Sequence, residues 1–503
     1  MADAVLRMYN SQAMALQDIP LFSFDEFRGQ AVRAIQKDAR VVSFFGYPAE
    51  GEAMTLTMVL AYDKEGCLEI FSTSVKDVYP ALTNQIPQVH WFEREIFEQW
   101  GVRPEGHPWL KPIRFHDSYR KNHDSGNDKK IVPSVTNFLE VAGEEIHEVA
   151  VGPVHAGIIE PGHFRFQCHG EEVFHLEISL GYQHRGIEKA IRDGSGKRTI
   201  HCIETAAGDT TVGHTLAYCQ AVEALSGCEV SLRANVLRAI MLELERLANH
   251  TGDLGALAGD VGYLPTSSYC GRLRGDFLNM TALVCGNRFG RTMVRPGGVN
   301  FDIDKAMAQT LKERLEKIFA DVKNAVNLLW DCGLVVDRFD ETGTLTQKAA
   351  RELGLVGPAR RACGIEHDVR FDFPTGAYRF YQIPLSTYSS GDVFARAFVR
   401  WLEIQRSAEF ILERLDNLPQ GEIAVGVPVL RPKQAVVSLV EGWRGEVCHV
   451  ALTDTKGNLA CYKIVDPSFH NWIGLAMALR GEEISDFPLC NKSFNLSYCG
   501  HDL

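Results

Sequence analysis

Residues 181–227 read GYQHRGIEKAIRDGSGKRTIHCIETAAGDTTVGHTLAYCQAVEALSG, and the rest of the chain is interpreted outward from them. The first part places His184, Arg185 and Glu188 in one short loop, and the spacing of His184 and Glu188 puts both on one side of any helix that starts there. A polar, glycine-rich bend follows at 207–210, and a helix pattern then runs over about 212–225. A charged cluster before a helix also occurs on ordinary solvated surfaces, so this stretch alone leaves its function open.

Composition limits the class of protein. The 503 residues are enough for more than one domain, and 45% apolar with 23% charged residues is typical of a globular protein. The formal net charge of −12 argues against nonspecific nucleic-acid binding, because phosphates need a basic surface. No apolar run reaches the length of a membrane span, and the start lacks the basic-then-apolar layout of a signal peptide. We therefore expect a cytoplasmic protein.

The 13 cysteines are scattered, and no two of them form a CxxC pair. Their odd number and their positions in helix-like and strand-like segments predict reduced, mostly buried thiols. Iron–sulfur clusters usually need clustered thiolates. The sequence therefore predicts no iron–sulfur cluster on this chain.

Residues 1–115 are predicted to form a small α+β domain. The pattern predicts helices over 24–37, 77–84 and 91–100, and strands over 39–46, 52–62 and 67–72. Residues 116–145 are polar and lack periodicity, so they are interpreted as a linker.

Residues 146–503 are predicted to form a large, mainly helical domain. Apolar residues at 236, 237, 240, 241, 244, 247 and 248 predict a core helix over 232–251, and 303–329 and 392–415 repeat this pattern. Strands are predicted over 149–155, 162–168 and 173–180, with further strands over 436–465 and a last helix over 467–480. The predicted class is α+β, with a core of long helices and antiparallel sheet at both sequence ends of this domain.

Six segments in order carry a family resemblance. The pattern GYxHRGxEK, then a bend, then GHxxAYxxAVE resembles the large subunit of membrane-bound, energy-converting nickel–iron hydrogenases and the related quinone-facing subunit of respiratory complex I. The other segments are MLELERLANHTGDLG, NRFGRTMVRPGGV, EGWRGE, DPSFHNW and the C-terminal SFNLSYCGHDL. In the first domain, Glu93-Arg94-Glu95, Gly101 and Gly106-His107-Pro108 resemble the small hydrophilic subunit of complex I. The chain thus resembles a fusion of the two subunits.

The resemblance implies a place for nickel and iron, which the hydrogenases hold with four thiolates from two CxxC motifs. Alignment on His214 puts Ala207 and Thr210 at the first pair of thiolate positions, and Ser497 and Gly500 fall at the second pair. All four ligands are therefore replaced, and we expect no metal site. Cys202, Cys490 and Cys499 lie nearby in sequence, but their offsets point them elsewhere, so a substitute site is disfavoured.

The complex I branch uses the same region for the quinone headgroup, with a histidine from one loop and a tyrosine after the bend. The alignment gives Pro161 and Gly208 at these two places, while His155 matches the first histidine of the loop. The resemblance therefore does not carry quinone binding over to this chain, and quinone binding stays open.

A polar set remains. It comprises His155, His184, Arg185, Glu188, Asp209, His214, His501 and Asp502. Buried ionisable groups are costly unless they are paired or hydrated, so a cluster of them in a pocket predicts a proton route. Glu188 is the first candidate, because the glutamate of the RGxE motif resembles a proton-transfer residue of the hydrogenases. The alternative is that His184 and Glu188 pair locally and that His501 and Asp502 are exposed terminal residues.

The leading hypothesis is a peripheral subunit of a membrane-bound complex, on the cytoplasmic face, that couples electron arrival to ion translocation without its own nickel–iron site. It implies two kinds of partner, an iron–sulfur small subunit and ion-translocating membrane subunits. Iron–sulfur clusters are expected in the partner, and any NADH would bind another subunit, because no Rossmann GxGxxG follows a strand here. Three alternatives stay open: a quinone-reducing NADH:quinone oxidoreductase-type subunit, an inert scaffold, and a genuine nickel–iron hydrogenase subunit.

Overall fold

The computed structural model describes residues 6–49, 52–120, 132–133, 136–155, 159–193 and 196–503. Of the predicted linker, residues 121–131 and 134–135 lie outside this described part. Among the helices that are described, none is both long enough and apolar enough to cross a bilayer.

The N-terminal module is an α+β unit built on a β-sheet. Its elements are β1 (Arg7–Met8), β2 (Ala13–Ala15), β3 (Leu21–Phe22), α1 (Phe24–Gln36), β4 (Arg40–Pro48), β5 (Met54–Tyr62), β6 (Cys67–Val75), β7 (Val78–Pro80), α2 (His90–Trp100) and β8 (Arg103–Glu105). Strands β4, β5 and β6 form an antiparallel meander, with β1 antiparallel and β3 parallel to β6. Helix α1 begins at a capping box in which Ser23 and Glu26 satisfy each other's backbone N–H groups.

The predicted helix over 77–84 is wrong. Val78–Pro80 is strand β7, which pairs in parallel with β8. Pro80 has no backbone N–H, and it restricts the residue before it to extended conformations, which disfavours a helix here.

The second module holds the long helices. Its elements are β9 (Ile146–Val151), β10 (His163–His169), β11 (Glu172–Ser179), α3 (Ile187–Asp193), α4 (Gly196–Glu204), α5 (Thr211–Ser226), α6 (Leu232–Asp260), α7 (Leu264–Cys285), β12 (Val294–Arg295), β13 (Gly298–Val299), α8 (Lys305–Trp330), α9 (Gly333–Phe339), α10 (Gln347–Leu353), α11 (Gly357–Arg361), α12 (Val369–Asp372), α13 (Val393–Asp416), β14 (Gln434–Gly442), β15 (Gly445–Thr453), β16 (Leu459–Val465), α14 (Pro467–Ala478), α15 (Phe487–Phe494) and α16 (Tyr498–Asp502). Helix α6 packs against α7 and α13, and α5 packs against β14 and β15. Strands β9–β11 and β14–β16 form antiparallel sheets near the two ends of the module, so the predicted α+β class is confirmed.

Helix α6 continues to Asp260, beyond the predicted end at residue 251, even though its C-terminal third contains glycines. Gly255 faces α7 so closely that a Cβ there would lie 2.7 Å from the Cβ of Cys270. Glycine disfavours a helix by propensity, which is why the sequence pattern ended near residue 251. The close approach of α7, which the pattern did not predict, stabilises the glycine-containing end.

The two modules share a sheet and buried ion pairs. Strand β2, from the N-terminal module, pairs antiparallel with β14 and extends the sheet to the order β16-β15-β14-β2. Arg40 of β4 donates to the Glu446 carboxylate of β15 at 2.5 and 2.7 Å, and both side chains are buried. The first module is therefore fixed against the C-terminal sheet that carries part of the site described below.

Candidate functional site

The C-terminus lies directly on the loop that contains His184 and Arg185. The Asp502 carboxylate accepts hydrogen bonds from the backbone N–H of Gly181 (2.8 Å) and of Gln183 (2.9 Å). The Leu503 carbonyl accepts from the N–H of Arg185 at 2.9 Å. These contacts bring the two ends of the second module together, and they bury His501 and Asp502 completely, contrary to the alternative that both are exposed.

Arg185 fixes the bend against this C-terminal segment. Its guanidinium donates to the carbonyls of Thr205 (2.5 Å), Ala206 (3.0 Å) and Cys499 (3.1 Å). His184 contributes a contact between its Nδ1 and the Asp502 carbonyl at 2.8 Å, and burial lowers the pKa of His184 to about 4. Arg185 and His184 therefore hold the backbone of the site in place.

The four aligned positions, Ala207, Thr210, Ser497 and Gly500, are all buried. Ser497 caps α16 by accepting from the N–H of Gly500 at 2.9 Å. A Cβ on Gly500 would lie 2.6 Å from the Asp466 carboxylate carbon, so this carboxylate fills the space beside the glycine. With no thiolate at any of the four positions, the residues present do not fit a nickel–iron group.

Beside these positions runs a buried chain of hydrogen bonds that we call the histidine string: Asp466, His214, His449 and Tyr462. His214 Nε2 lies 3.0 Å from the Asp466 carboxylate, His214 Nδ1 lies 3.0 Å from His449 Nε2, and His449 Nδ1 lies 2.7 Å from the Tyr462 hydroxyl. With both rings neutral, each hydrogen bond of the string has one donor and one acceptor, and all of them donate in the same direction along the string. Tyr462 donates to His449, His449 donates to His214, and His214 donates to Asp466.

Burial sets the protonation of this string. Burial and the neighbouring charge of His214 hold the pKa of His449 well below its ordinary value, which keeps this ring neutral. Burial by itself raises the pKa of Asp466, but the hydrogen bond and charge of His214 outweigh it, so the net shift is downward and favours the carboxylate. Burial raises the pKa of Tyr462 well above its ordinary value. The string therefore joins a carboxylate, two imidazole rings, of which that of His449 is held neutral, and a phenol.

Glu188 lies in a separate group of charges, the glutamate cluster of Glu188, Lys463, Glu95 and Arg114. The Glu188 carboxylate accepts from Lys463 Nζ (3.0 Å) and from the backbone N–H of Ile464 (2.9 Å). Lys463 also donates to Glu95 at 2.6 Å, and Arg114 forms a second ion pair with Glu95. Burial alone would raise the pKa of Glu95, but Lys463 and Arg114 reverse the shift. The N-terminal module thus supplies two of the three charges around Glu188, and the structure does not bring Glu188 into contact with His214.

Asp209 of the bend pairs with Arg444 through two hydrogen bonds, at 2.5 and 2.7 Å. Burial raises the pKa of Asp209, and the charge of Arg444 outweighs this effect to give a net lowering. The Asp209 carbonyl also accepts from the indole N–H of Trp443 at 2.9 Å. The bend is therefore fixed to the EGWRGE segment, which forms the turn between β14 and β15.

His155 lies beside the C-terminal segment, with its Nε2 3.4 Å from the Tyr498 hydroxyl, and burial lowers its pKa. Residues 156–158, which follow it, lie outside the described residues. Pro161 and Gly208, at the positions aligned with the quinone grip, offer no side-chain hydrogen-bond donor.

Sequence reasoning missed a further ionisable group, Glu245. Its carboxylate accepts from the N–H of Val212 (2.7 Å) and Gly213 (3.2 Å), where α5 begins after the bend. Burial raises the pKa of Glu245 to about 8 against these two hydrogen bonds. The signal was present in the sequence, because position 245 lies four residues after 241 and three before 248, on the apolar face of the core helix.

His449, Tyr462 and Lys463 were also missed. All three lie in strands that are buried almost throughout, where a polar side chain has to find a partner. A polar residue in such an apolar run is the only sequence signal, and it does not identify the partner.

Two family models match the chain. The model described as "Respiratory-chain NADH dehydrogenase, 49 Kd subunit" matches residues 260–430, and the model described as "Respiratory-chain NADH dehydrogenase, 30 Kd subunit" matches residues 32–130. The two matches follow the order of the two modules.

Curated relatives include both hydrogenase and NADH dehydrogenase subunits. The carbon monoxide-induced hydrogenase of Rhodospirillum rubrum is 30% identical over 350 residues, covering 69% of this chain and 97% of that protein. Hydrogenase-4 component G of Escherichia coli is 30% identical over 434 residues, covering 84% of this chain and 75% of that protein. NADH-quinone oxidoreductase subunit 4 of Thermus thermophilus is 30% identical over 370 residues, covering 68% and 90%.

A solved structure shares the fold. A chain of the membrane-bound sulfane sulfur reductase, an archaeal respiratory membrane complex, superposes with a TM-score of 0.68 at 23% identity. The match covers 72% of this chain and 100% of that chain. At this identity the likeness concerns the fold.

Proposed function

Because the chain belongs to the family of the respiratory-chain NADH dehydrogenase 49 Kd subunit and the related hydrogenase subunits, with a 30 Kd subunit-like module on the same chain, we propose that it is a peripheral subunit of a membrane-bound redox complex. This membership confirms the predicted resemblance. The finer part of the proposal is that the subunit couples electron arrival at a partner to proton movement and holds no nickel–iron site of its own.

The observation that carries the proposal is the histidine string beside the four aligned positions. Where a nickel–iron group would need thiolates, the chain has a methyl group, two hydroxyls and a glycine, and Asp466 fills the space next to Gly500. A string of neutral imidazoles can pass a proton, because each ring takes one up at one nitrogen and releases one from the other. The residues present therefore support proton handling in place of metal chemistry.

Two further groups extend this proposal. Glu245 of α6, which is hydrogen-bonded to the start of α5, has a pKa of about 8, so its protonation changes near neutral pH. Glu188 keeps its proposed role in proton transfer, with Lys463 as the partner that stabilises its charge. We propose that electron arrival next to the bend alters the charge balance of these groups and so moves protons.

The proposal implies partners that this chain does not contain. An iron–sulfur small subunit would deliver the electron, and ion-translocating membrane subunits would take up the coupled movement on the inner face of the cell membrane. The scattered cysteines support clusters in a partner rather than on this chain.

The first test is elemental. The chain is purified from its native host in a mild detergent, and nickel and iron are measured by elemental mass spectrometry alongside the identities of co-purifying proteins. We expect nickel well below one atom per chain, with iron that follows a co-purified iron–sulfur protein. Stoichiometric nickel on the separated chain would refute the proposal and favour a hydrogenase.

The second test is coupling in the assembled complex. In membrane vesicles, with reduced methyl viologen as donor and the native acceptors of the membrane, proton transport is measured per electron transferred. Asp466→Asn keeps the shape of the side chain but cannot carry the proton, and Glu188→Gln does the same in the glutamate cluster. We expect both to lower the proton-to-electron ratio, while Glu352→Gln, on the exposed face of α10, leaves it unchanged. Unchanged ratios in both variants would favour an inert scaffold.

A further inference from the structure

A polar cleft of about 400 Å³ opens beside the bend and the C-terminal segment. Its walls come from the loop before β10, the bend, helices α6 and α7, and the C-terminal α15 and α16 region. Ionisable side chains are common among the lining residues: Glu160, Asp209, Asp253, Arg274, Arg444 and Lys492. Such a lining is unlike the mostly apolar walls that hold a large hydrophobic ligand.

The three carboxylates of the cleft are already satisfied by the protein. Asp209 is paired with Arg444, as described above. Asp253 accepts from Arg400 at 2.9 Å and from the Asn495 amide at 2.5 Å. Glu160 accepts from backbone N–H groups of the C-terminal segment at 3.2 and 3.4 Å. The acidic side of the cleft therefore has little capacity left for a cationic ligand.

Two cations of the cleft have no such partner. Within the described part of the chain, Arg274 of α7 and Lys492 of α15 make no ion pair or hydrogen bond, and both are only partly exposed. The charge of Lys492 acts on Asp260 at longer range. Burial raises the pKa of Asp260 to about 6, and the charge of Lys492 partly opposes this shift. Two unpaired donors from different helices thus line one cleft.

The position of Arg274 depends on a glycine in the C-terminal third of α6. A Cβ on Gly252 would lie 2.6 Å from Cδ of Arg274 and 3.0 Å from its Nε. Glycine weakens a helix relative to alanine, so its occurrence here is explained by the room it leaves for the arginine side chain. Helix α6 therefore accommodates Arg274 along the wall of the cleft.

We propose that this cleft binds a small anionic ligand bearing a carboxylate or phosphate group, held between Arg274 and Lys492. Arginine and lysine recognise both groups through charge-assisted hydrogen bonds. The Tyr498 hydroxyl, which also lines the cleft, adds a neutral donor. This inference deepens the proposed function by naming the class of ligand that binds next to the histidine string. Only the role of the bound ligand rests on the proposed function; the binding itself does not.

The test is direct binding to the purified chain. Acetate and inorganic phosphate are titrated separately by isothermal calorimetry at constant ionic strength, and the tighter of the two identifies the preferred group. Arg274→Gln and Lys492→Gln each remove one charged donor, and each is expected to weaken binding about tenfold or more. Arg272→Gln is the matched control, because Arg272 lies on the same helix but pairs with Asp276 and Asp321.

A second variant distinguishes a specific binding site from a general attraction of anions to positive charge. Gly252→Ala keeps both cations but displaces Arg274, so it is expected to weaken binding while the thermal unfolding midpoint shows that the chain is folded. The inference is overturned if neither probe binds the wild type with a Kd below about 10 mM, or if the two charge variants bind as tightly as the Arg272→Gln control. Neither result would bear on nickel content or on the proton-to-electron ratio, so the proposed function is judged separately.

Discussion

Replacing Glu245 by glutamine is expected to change the pH dependence of stability in a defined direction. The folded-state pKa of Glu245 is about 8, raised by burial from a reference of 4.5. Below about pH 4.5 the carboxyl is protonated in both the folded and the unfolded chain, so its contribution to stability is fully present. As the pH rises towards 8 the unfolded chain ionises while the folded chain stays protonated, and that contribution is progressively lost.

The magnitude follows from the shift. At about 1.4 kcal/mol per pKa unit, the interval between 4.5 and about 8 corresponds to about 5 kcal/mol. This is the upper limit of the stability that the wild type loses above pH 8. Glutamine has nearly the same shape, and its single amide oxygen can still accept from the N–H of Val212 at the start of α5, but it does not ionise. Glu245→Gln should therefore exceed the wild type in stability by about 1 kcal/mol near pH 5 and by about 3 to 5 kcal/mol near pH 9.

The assay combines two measurements. Urea unfolding at pH 5, 7 and 9, followed by tryptophan fluorescence, gives the difference between the variant and the wild type. An infrared titration follows the C=O band of a protonated carboxyl that disappears as the pH rises and is absent from the variant. Glu316→Gln, on the exposed face of α8, is the control and should show neither effect. Parallel unfolding curves at all three pH values, or an infrared midpoint below pH 6, would refute the reasoning.

Two further predictions concern residues that the fold brings together. Lys463→Met removes the cation between the buried Glu95 and the partly buried Glu188. It should destabilise the chain by about 3 to 5 kcal/mol in urea unfolding at pH 7, because both carboxylates lose a buried partner. Lys456→Met in the exposed β15–β16 turn should change stability little, and equal effects of the two variants would contradict this reasoning. Gly500→Cys restores a thiol at one aligned position, but its Cβ would lie 2.6 Å from the Asp466 carboxylate carbon. Because of this overpacking, the midpoint temperature of thermal unfolding should fall and nickel should not bind. A fully stable Gly500→Cys chain that takes up nickel would contradict the fit argued here.

Several properties of the site could be predicted from the sequence, because they depend on residue identity and local spacing. The expected replacement of the four thiolates depends only on which residues occupy the aligned positions, so it is a prediction that needs no tertiary structure. The helix over 212–225 is apolar and free of proline, and the structure has α5 over nearly the same residues. Where local propensity was weak the predictions failed, as at residues 77–84 and at the glycine-containing end of α6.

The tertiary structure alone decided which charges meet and what burial does to them. Lys463 and Glu95 are 368 residues apart in the chain, and His214 and His449 are 235 apart, so no periodicity relates them. The pKa of Glu245 rises because the folded chain removes it from water, a property that its neighbours in sequence do not determine. Sequence thus determines which residue types occupy the aligned positions and where most of the helices form. Desolvation and Coulomb interactions, which depend on distances in three dimensions, determine which of the remaining polar groups can hold or move a proton.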